Sequence, residues 1–176
     1  MCSVSFLECS INGLYGQAKN PYGRATKLHR ALASIWSEAF DRQPILAKYQ
    51  IALALAKREP FEENAKHYRA ARALIDLRNA IAHPKELIES ERQQQKLEGR
   101  LSGMYKFNPK REHYREFFPG RCLSADCACW ALQAATKLFS EFKRRMPPTA
   151  NALSFVVPVD HVLKEIEALR STSAKK

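Results

Sequence analysis

From Phe61 to His83 no glycine or proline interrupts the chain, and Pro84 then closes the run. A segment of that length without a breaker commits the fold to a long helix. Pro60 suits the first helical position, and Glu62 and Glu63 suit the positive end of a helix dipole, so the spacing predicts a helix from Pro60 to His83. At about 100° per residue, Ala70, Leu74, Leu77 and Ile81 form one stripe that faces a core. A second strip, Ala71, Ile75 and Ala82, lies roughly 110° further round. It has no evident partner within one bundle, so it is expected near the axis of a two-fold dimer. Arg78 falls between the strips, away from the solvated side where Arg69, Arg72, Asp76 and Asn79 gather. It is therefore expected to be only partly exposed, with a guanidinium that needs an anionic partner.

Pro84 disfavours helical backbone at the residue before it, so His83 must be the last residue of this helix or the first beyond it. Asn79, four positions earlier, lies on the same face and is placed to orient the imidazole by a hydrogen bond. The negative end of the helix dipole favours a protonated ring, and histidine titrates nearest neutrality. Such a group serves as general acid or base.

The remaining apolar spacing is also helical. Val4, Leu7, Ile11 and Leu14 predict a first helix over 3–18, which Asn20-Pro21-Tyr22-Gly23 ends. Leu28, Leu32, Ile35, Trp36 and Ala39 predict a second over 25–41. Beyond Pro44 the pattern resumes with Ile45, Leu46, Tyr49 and Leu53 to Arg58, as one bent partner. Residues 85–100 are rich in Glu, Gln and Lys, which suits a mostly solvated helix or a mobile stretch. Ser124-Ala125-Asp126 caps a last long helix with Trp130, Ala131, Ala134, Leu138, Phe139 and Phe142 inward and Lys143, Arg144 and Arg145 at its end. Pro147-Pro148 stops it. The expectation is an all-α fold: an up-and-down four-helix bundle over 1–145, with an inserted basic and aromatic segment at about 84–122. An extension over 146–176 holds a short extended run at Ser154–Val157, a short helix begun by Asp160, and a disordered tail from Ser171.

The net charge of +11, from 29 Lys and Arg against 18 Asp and Glu, attracts phosphate backbones without sequence preference. Residues 1–41 are nearly balanced, so the excess lies later. Between 103 and 121, Tyr105, Phe107, Tyr114, Phe117 and Phe118 interleave with Lys106, Lys110, Arg111, His113, Arg115 and Arg121. That mixture suits stacking on unpaired bases, or else rings packed on the bundle with solvated charges between them. Cys2, Cys9, Cys122, Cys127 and Cys129 are odd in number and lack Cys-x-x-Cys spacing, so they are expected to be reduced packing residues, and no metal site is expected. The start lacks a cationic leader and no run approaches the ~20 apolar residues of a membrane span, so a soluble cytoplasmic protein is expected.

The stretch Leu77-Arg78-Asn79-Ala80-Ile81-Ala82-His83-Pro84, an Arg, an Asn directly after it and a His five positions beyond the Arg at the end of a bundle helix, resembles the HEPN superfamily (higher eukaryotes and prokaryotes nucleotide-binding domains). Phe6 to Tyr15 is similar to the opening helix of many such domains, and the resemblance covers residues 1 to about 145. It implies a metal-independent endoribonuclease, without cofactor, that cuts as a homodimer. Arg78 and Asn79 would hold the scissile phosphate, and His83 would handle the proton of the 2′-hydroxyl or of the leaving oxygen. Lys85, Lys106, Lys110, Arg111 and Arg115 would be the RNA-binding residues. The role implied is a toxin or antiviral defence effector, which also allows an antitoxin or a larger defence assembly as partner. In the toxins paired with a nucleotidyltransferase antitoxin a Tyr usually follows two residues after the His; Lys85 stands there, which argues against that subgroup. The second expectation is a catalytically silent helical module that binds nucleotides or partner proteins, with Arg78 paired internally to Glu8.

Overall fold

The computed structural model describes residues 2–19, 26–84, 90–111 and 116–148. The break at 20–25, Lys85, Arg115, the side chain of Arg111 and the extension from 149 onward lie outside them. The fold is all-helical, with no strand among the described residues. In chain order the helices are α1 (Cys2–Ala18), α2 (Lys27–Ile35), α3 (Glu38–Asp41), α4 (Ile45–Leu55), α5 (Lys66–Ala82), α6 (Glu91–Leu101) and α7 (Ala125–Arg145).

α1 buries Val4, Leu7, Ile11, Leu14 and Tyr15, the residues its three-and-four spacing selects. It packs against α2, α4, α5 and α7, and α7 in turn packs on α4 and α5. The centre is aromatic: Phe142 meets Tyr49 edge-on at 4.7 Å, and Phe139 meets Phe6 at 5.2 Å. Two buried phenols stitch α1 to α4 through main-chain carbonyls, Tyr49 donating to Leu7 at 2.9 Å and Tyr15 to Lys48 at 3.0 Å. Ser124 caps α7 as expected, its hydroxyl accepting from the Cys127 N–H at 3.0 Å.

Three helical spans differ from the sequence expectation. The second helix does not run to residue 41. It stops at Ile35, Trp36 turns extended, and Ser37 caps α3 by accepting from the Phe40 N–H. That corner lets Trp36 stack on Tyr15 at 5.7 Å while Phe40 meets the same ring edge-on at 4.7 Å.

α5 starts at Lys66, not Pro60, because residues 59–61 form a strap between two other helices. Gln50 brackets Phe61, donating to its carbonyl at 2.8 Å and accepting from its N–H at 2.7 Å. Arg145 donates to the carbonyls of Glu59 and Pro60 at 3.0 and 2.9 Å, and Phe61 is 3% exposed beneath it.

α6 is docked where a solvated helix was expected, burying Gln94, Leu97 and Leu101. Gln94 accepts from the Phe118 N–H at 3.3 Å, and Arg121 pairs with Glu98 at 3.0 Å. Gly103, at φ +74, supplies the left-handed residue that turns the chain after α6. The described aromatic residues beyond it pack on the bundle or on one another. Tyr105 lies 5.1 Å from Trp130, Phe107 lies 5.0 Å from Phe117, and Phe118 is buried.

At the end of α7 the Glu141 carboxylate accepts from Arg144 at 2.7 and 2.8 Å and from Arg145 at 2.9 Å. The two Arg144 hydrogen bonds, then the one from Arg145, hold its pKa down to about 2. A carboxyl group depressed in the folded state adds stability that is complete above its ordinary value of 4.5 and lost as pH falls through about 2. The urea midpoint of the parent protein should therefore exceed that of Glu141→Gln by a constant margin above about pH 5, with the two converging near pH 2. A margin independent of pH would show that the pair adds nothing through its charge.

Candidate active site

α5 places the candidate residues in its last turn. His83 closes the helix with φ −127 and ψ 61, and its N–H donates to the Asn79 carbonyl at 2.9 Å. Pro84 after it explains the stop. Arg78 is half-buried, as its position between two apolar strips requires. Its guanidinium makes no hydrogen bond or ion pair with another described residue, Glu8 included, although Glu8 shares a depression with it.

Arg78 and His83 open onto different grooves. Arg78 lines a cleft of about 1070 Å³ between α1, α5, the start of α7 and the 106–110 loop, together with Lys106 and Lys110. On its other flank it borders a depression that also holds Asn79, Ile75, Asp41 and Gln50. His83 lies in a smaller groove of about 260 Å³ between α5 and α6, with Asn79, Asp76, Lys96 and Arg100. Five residues of helix set Arg78 and His83 about 140° apart around the axis. Asp76 and Asn79 line both the His83 groove and the depression on the Arg78 flank.

Two expectations need correction here. The Asn79 amide makes no hydrogen bond to the His83 ring among the described residues; their link is main chain to main chain. His83 is exposed, and its ring is left free to turn. The strip expected at a dimer axis is also not intact. Ala71 is fully buried within the single chain, Ile75 is half-buried, and only Ala82 is exposed. Ala71 is covered because α5 sinks between α1 and α7, with which it shares contacts.

Lys96 and Arg100 escaped sequence reasoning. Arg100 is tied to Asp76 by an ion pair, whereas Lys96 has no ion-pair partner among the described residues. The spacing of Gln94, Leu97 and Leu101 was the available signal, because a helix docked on that face presents Gln93, Lys96 and Arg100 to its neighbour.

Of the cysteines, Cys122 and Cys127 are buried, as packing residues should be, but Cys2 and Cys9 are exposed. Burial pushes the Cys122 thiol up to about 12 and the Cys127 thiol upward as well, so neither supplies a thiolate near neutrality. Desolvation lowers the pKa of His67, whose Nε2 is buried without a hydrogen-bond partner among the described residues. Among the described residues no group of three or more His, Cys, Asp and Glu side chains converges, and no helix is long and apolar enough to cross a membrane. No family model, characterised protein or solved structure matches the chain.

Proposed function

We propose that this chain is a metal-independent endoribonuclease of the HEPN kind, acting on RNA as a toxin or antiviral effector. The observation that carries the reading is Arg78: half-buried, lining a cleft with Lys106 and Lys110, and bound by no described carboxylate, five residues before an exposed histidine at the helix end. A guanidinium held in that way suits a phosphate. Because Arg78 and His83 open onto different grooves of one copy, the reading calls for two copies, with Arg78 of one and His83 of the other meeting the same phosphodiester.

In that site one His83 takes the proton of the 2′-hydroxyl, and the 2′-oxygen attacks phosphorus. The bond to the 5′-oxygen breaks, and the leaving oxygen takes its proton from water. The products are a 2′,3′-cyclic phosphate, or its opened form, and a 5′-hydroxyl. Arg78 and Asn79 hold the non-bridging oxygens. An antitoxin or a larger defence assembly is the further partner this role allows.

The test is incubation of the purified protein with single-stranded RNA in EDTA, with both new ends mapped. A 5′-phosphate product, or activity abolished by EDTA, excludes the scheme. Light scattering at micromolar concentration should return a dimer. Arg78→Lys should lose about tenfold or more in turnover, since a point charge does not reproduce a bidentate contact worth roughly 1.5 kcal/mol or more.

The silent-module reading has one observation in its favour, the missing hydrogen bond between the Asn79 amide and the His83 ring. RNA binding without cleavage would select it.

A further inference from the structure

The cleft beside Arg78 is built for more than a phosphate. Phosphate needs cations alone, yet the floor here is apolar: Val4, Leu74 and Leu77 at 1%, 4% and 3% exposure, continued by Ile81. Leu123 on its wall is 41% exposed, one of two large apolar side chains that the described residues leave so open. The cations sit around this floor. Arg78, Lys106 and Lys110 have no ion-pair partner among the described residues, and Arg121 is tied to Glu98. Against these four the lining holds one carboxylate, Asp126. The volume, about 1070 Å³, lies at the upper end of the ~300–1,000 Å³ usual for sites that enclose an organic ligand.

An apolar floor ringed by cations, three of the four without an ion-pair partner among the described residues, matches a ligand with a flat, weakly polar body and negative charge on its edge. We propose that this cleft seats a nucleobase of single-stranded RNA adjoining the phosphate on Arg78, with Lys106 and Lys110 neutralising the neighbouring phosphates. The proposal rests on Arg78 being an RNA-phosphate ligand. It adds the recognition step, because a base that enters the cleft must be unpaired. Phe107 also lines the cleft, its ring held edge-on by Tyr105 and Phe117, so the seat is the aliphatic floor with Phe107 at its side.

The test uses the full chain carrying His83→Ala, so that RNA is bound without being cut, and a short fluorescent single-stranded RNA read by anisotropy. Ala128 is exposed on the cleft wall, so Ala128→Trp fills the space with little effect on the core. Leu123→Asp is the second variant, at a position exposed enough to tolerate it. Each should weaken binding about tenfold, the scale of one seated base. An RNA made abasic at one position should lose a similar factor on the parent and nothing further on Ala128→Trp. Lys106→Ala with Lys110→Ala should flatten the slope of log affinity against log salt by about 1.4. Intact and abasic strands bound equally well, or both cleft variants binding as the parent does, would overturn the proposal. The two readings separate cleanly. His83-dependent cleavage that survives Ala128→Trp and Leu123→Asp removes the base seat alone. Binding with the expected pattern, but no cleavage by the wild-type chain, removes the nuclease and leaves the seat.

Discussion

Replacing His83 by alanine is expected to lower RNA cleavage by on the order of a hundredfold or more, the usual cost of losing a general acid or base, while leaving the melting temperature unchanged. The second half follows from the structure. His83 is exposed, its ring contacts no described residue by hydrogen bond or ion pair, and its one bond, N–H to the Asn79 carbonyl, is main chain and survives in alanine. Loss of activity therefore cannot be charged to unfolding. The same mechanism requires that a substrate with 2′-deoxyribose at the cut position resist cleavage while still binding, because the nucleophile is gone and the phosphate is not. Full activity of His83→Ala, or normal cleavage of the deoxy substrate, would falsify the proposed chemistry.

The largest stability effect is expected at Lys48. Its side chain is 1% exposed, yet its ammonium is satisfied, donating to the Asp41 carbonyl at 2.6 Å and to Asn12 Oδ1 at 2.9 Å, with the Asp41 carboxylate further off at 3.4 Å. It also lies 5.9 Å from the Trp36 ring centre. Lys48→Ala empties that volume and strands two acceptors, so a loss of about 3–5 kcal/mol in the urea unfolding free energy is expected. Lys48→Met keeps the packing and should cost less. Asp41→Asn should cost under about 1 kcal/mol, because the Asp41 side chain is 56% exposed and its contact with Lys48 is the longest of the three. A Lys48→Ala protein within about 1 kcal/mol of the parent would mean that water replaces the ammonium without strain.

What could be read in advance divides along the range of the interactions. α1 and α7 were legible because their signals are local: three-and-four spacing in one, Ser124 and the terminal Lys143, Arg144 and Arg145 in the other. The half-burial of Arg78 and the stop at His83 were legible for the same reason. The start of α5 was not, because Phe61 is held out of the helix by Gln50 and Pro60 by Arg145, 85 residues away. The break after Ile35 was missed because Trp36 kept the apolar rhythm while its ring was drawn to Tyr15. In the candidate site, the residues on α5 could be named from the sequence. Lys96 and Arg100 could not, since they reach His83 only through the docking of a second helix with few apolar residues.

The strap at Glu59–Phe61 bears on how the protein is made. Its clamp, Arg145, lies 62 positions after His83 and is the last residue of α7, the helix against which α5 packs. At roughly 5–20 residues per second, a ribosome finishes Arg145 about 3 to 12 seconds after His83. During that interval α5 has no complete α7 to pack against and Phe61 has no guanidinium over it. The Arg78–His83 segment is thus synthesised early but anchored late. The part of the chain that carries the candidate site therefore gains its packing partner only when α7 is complete.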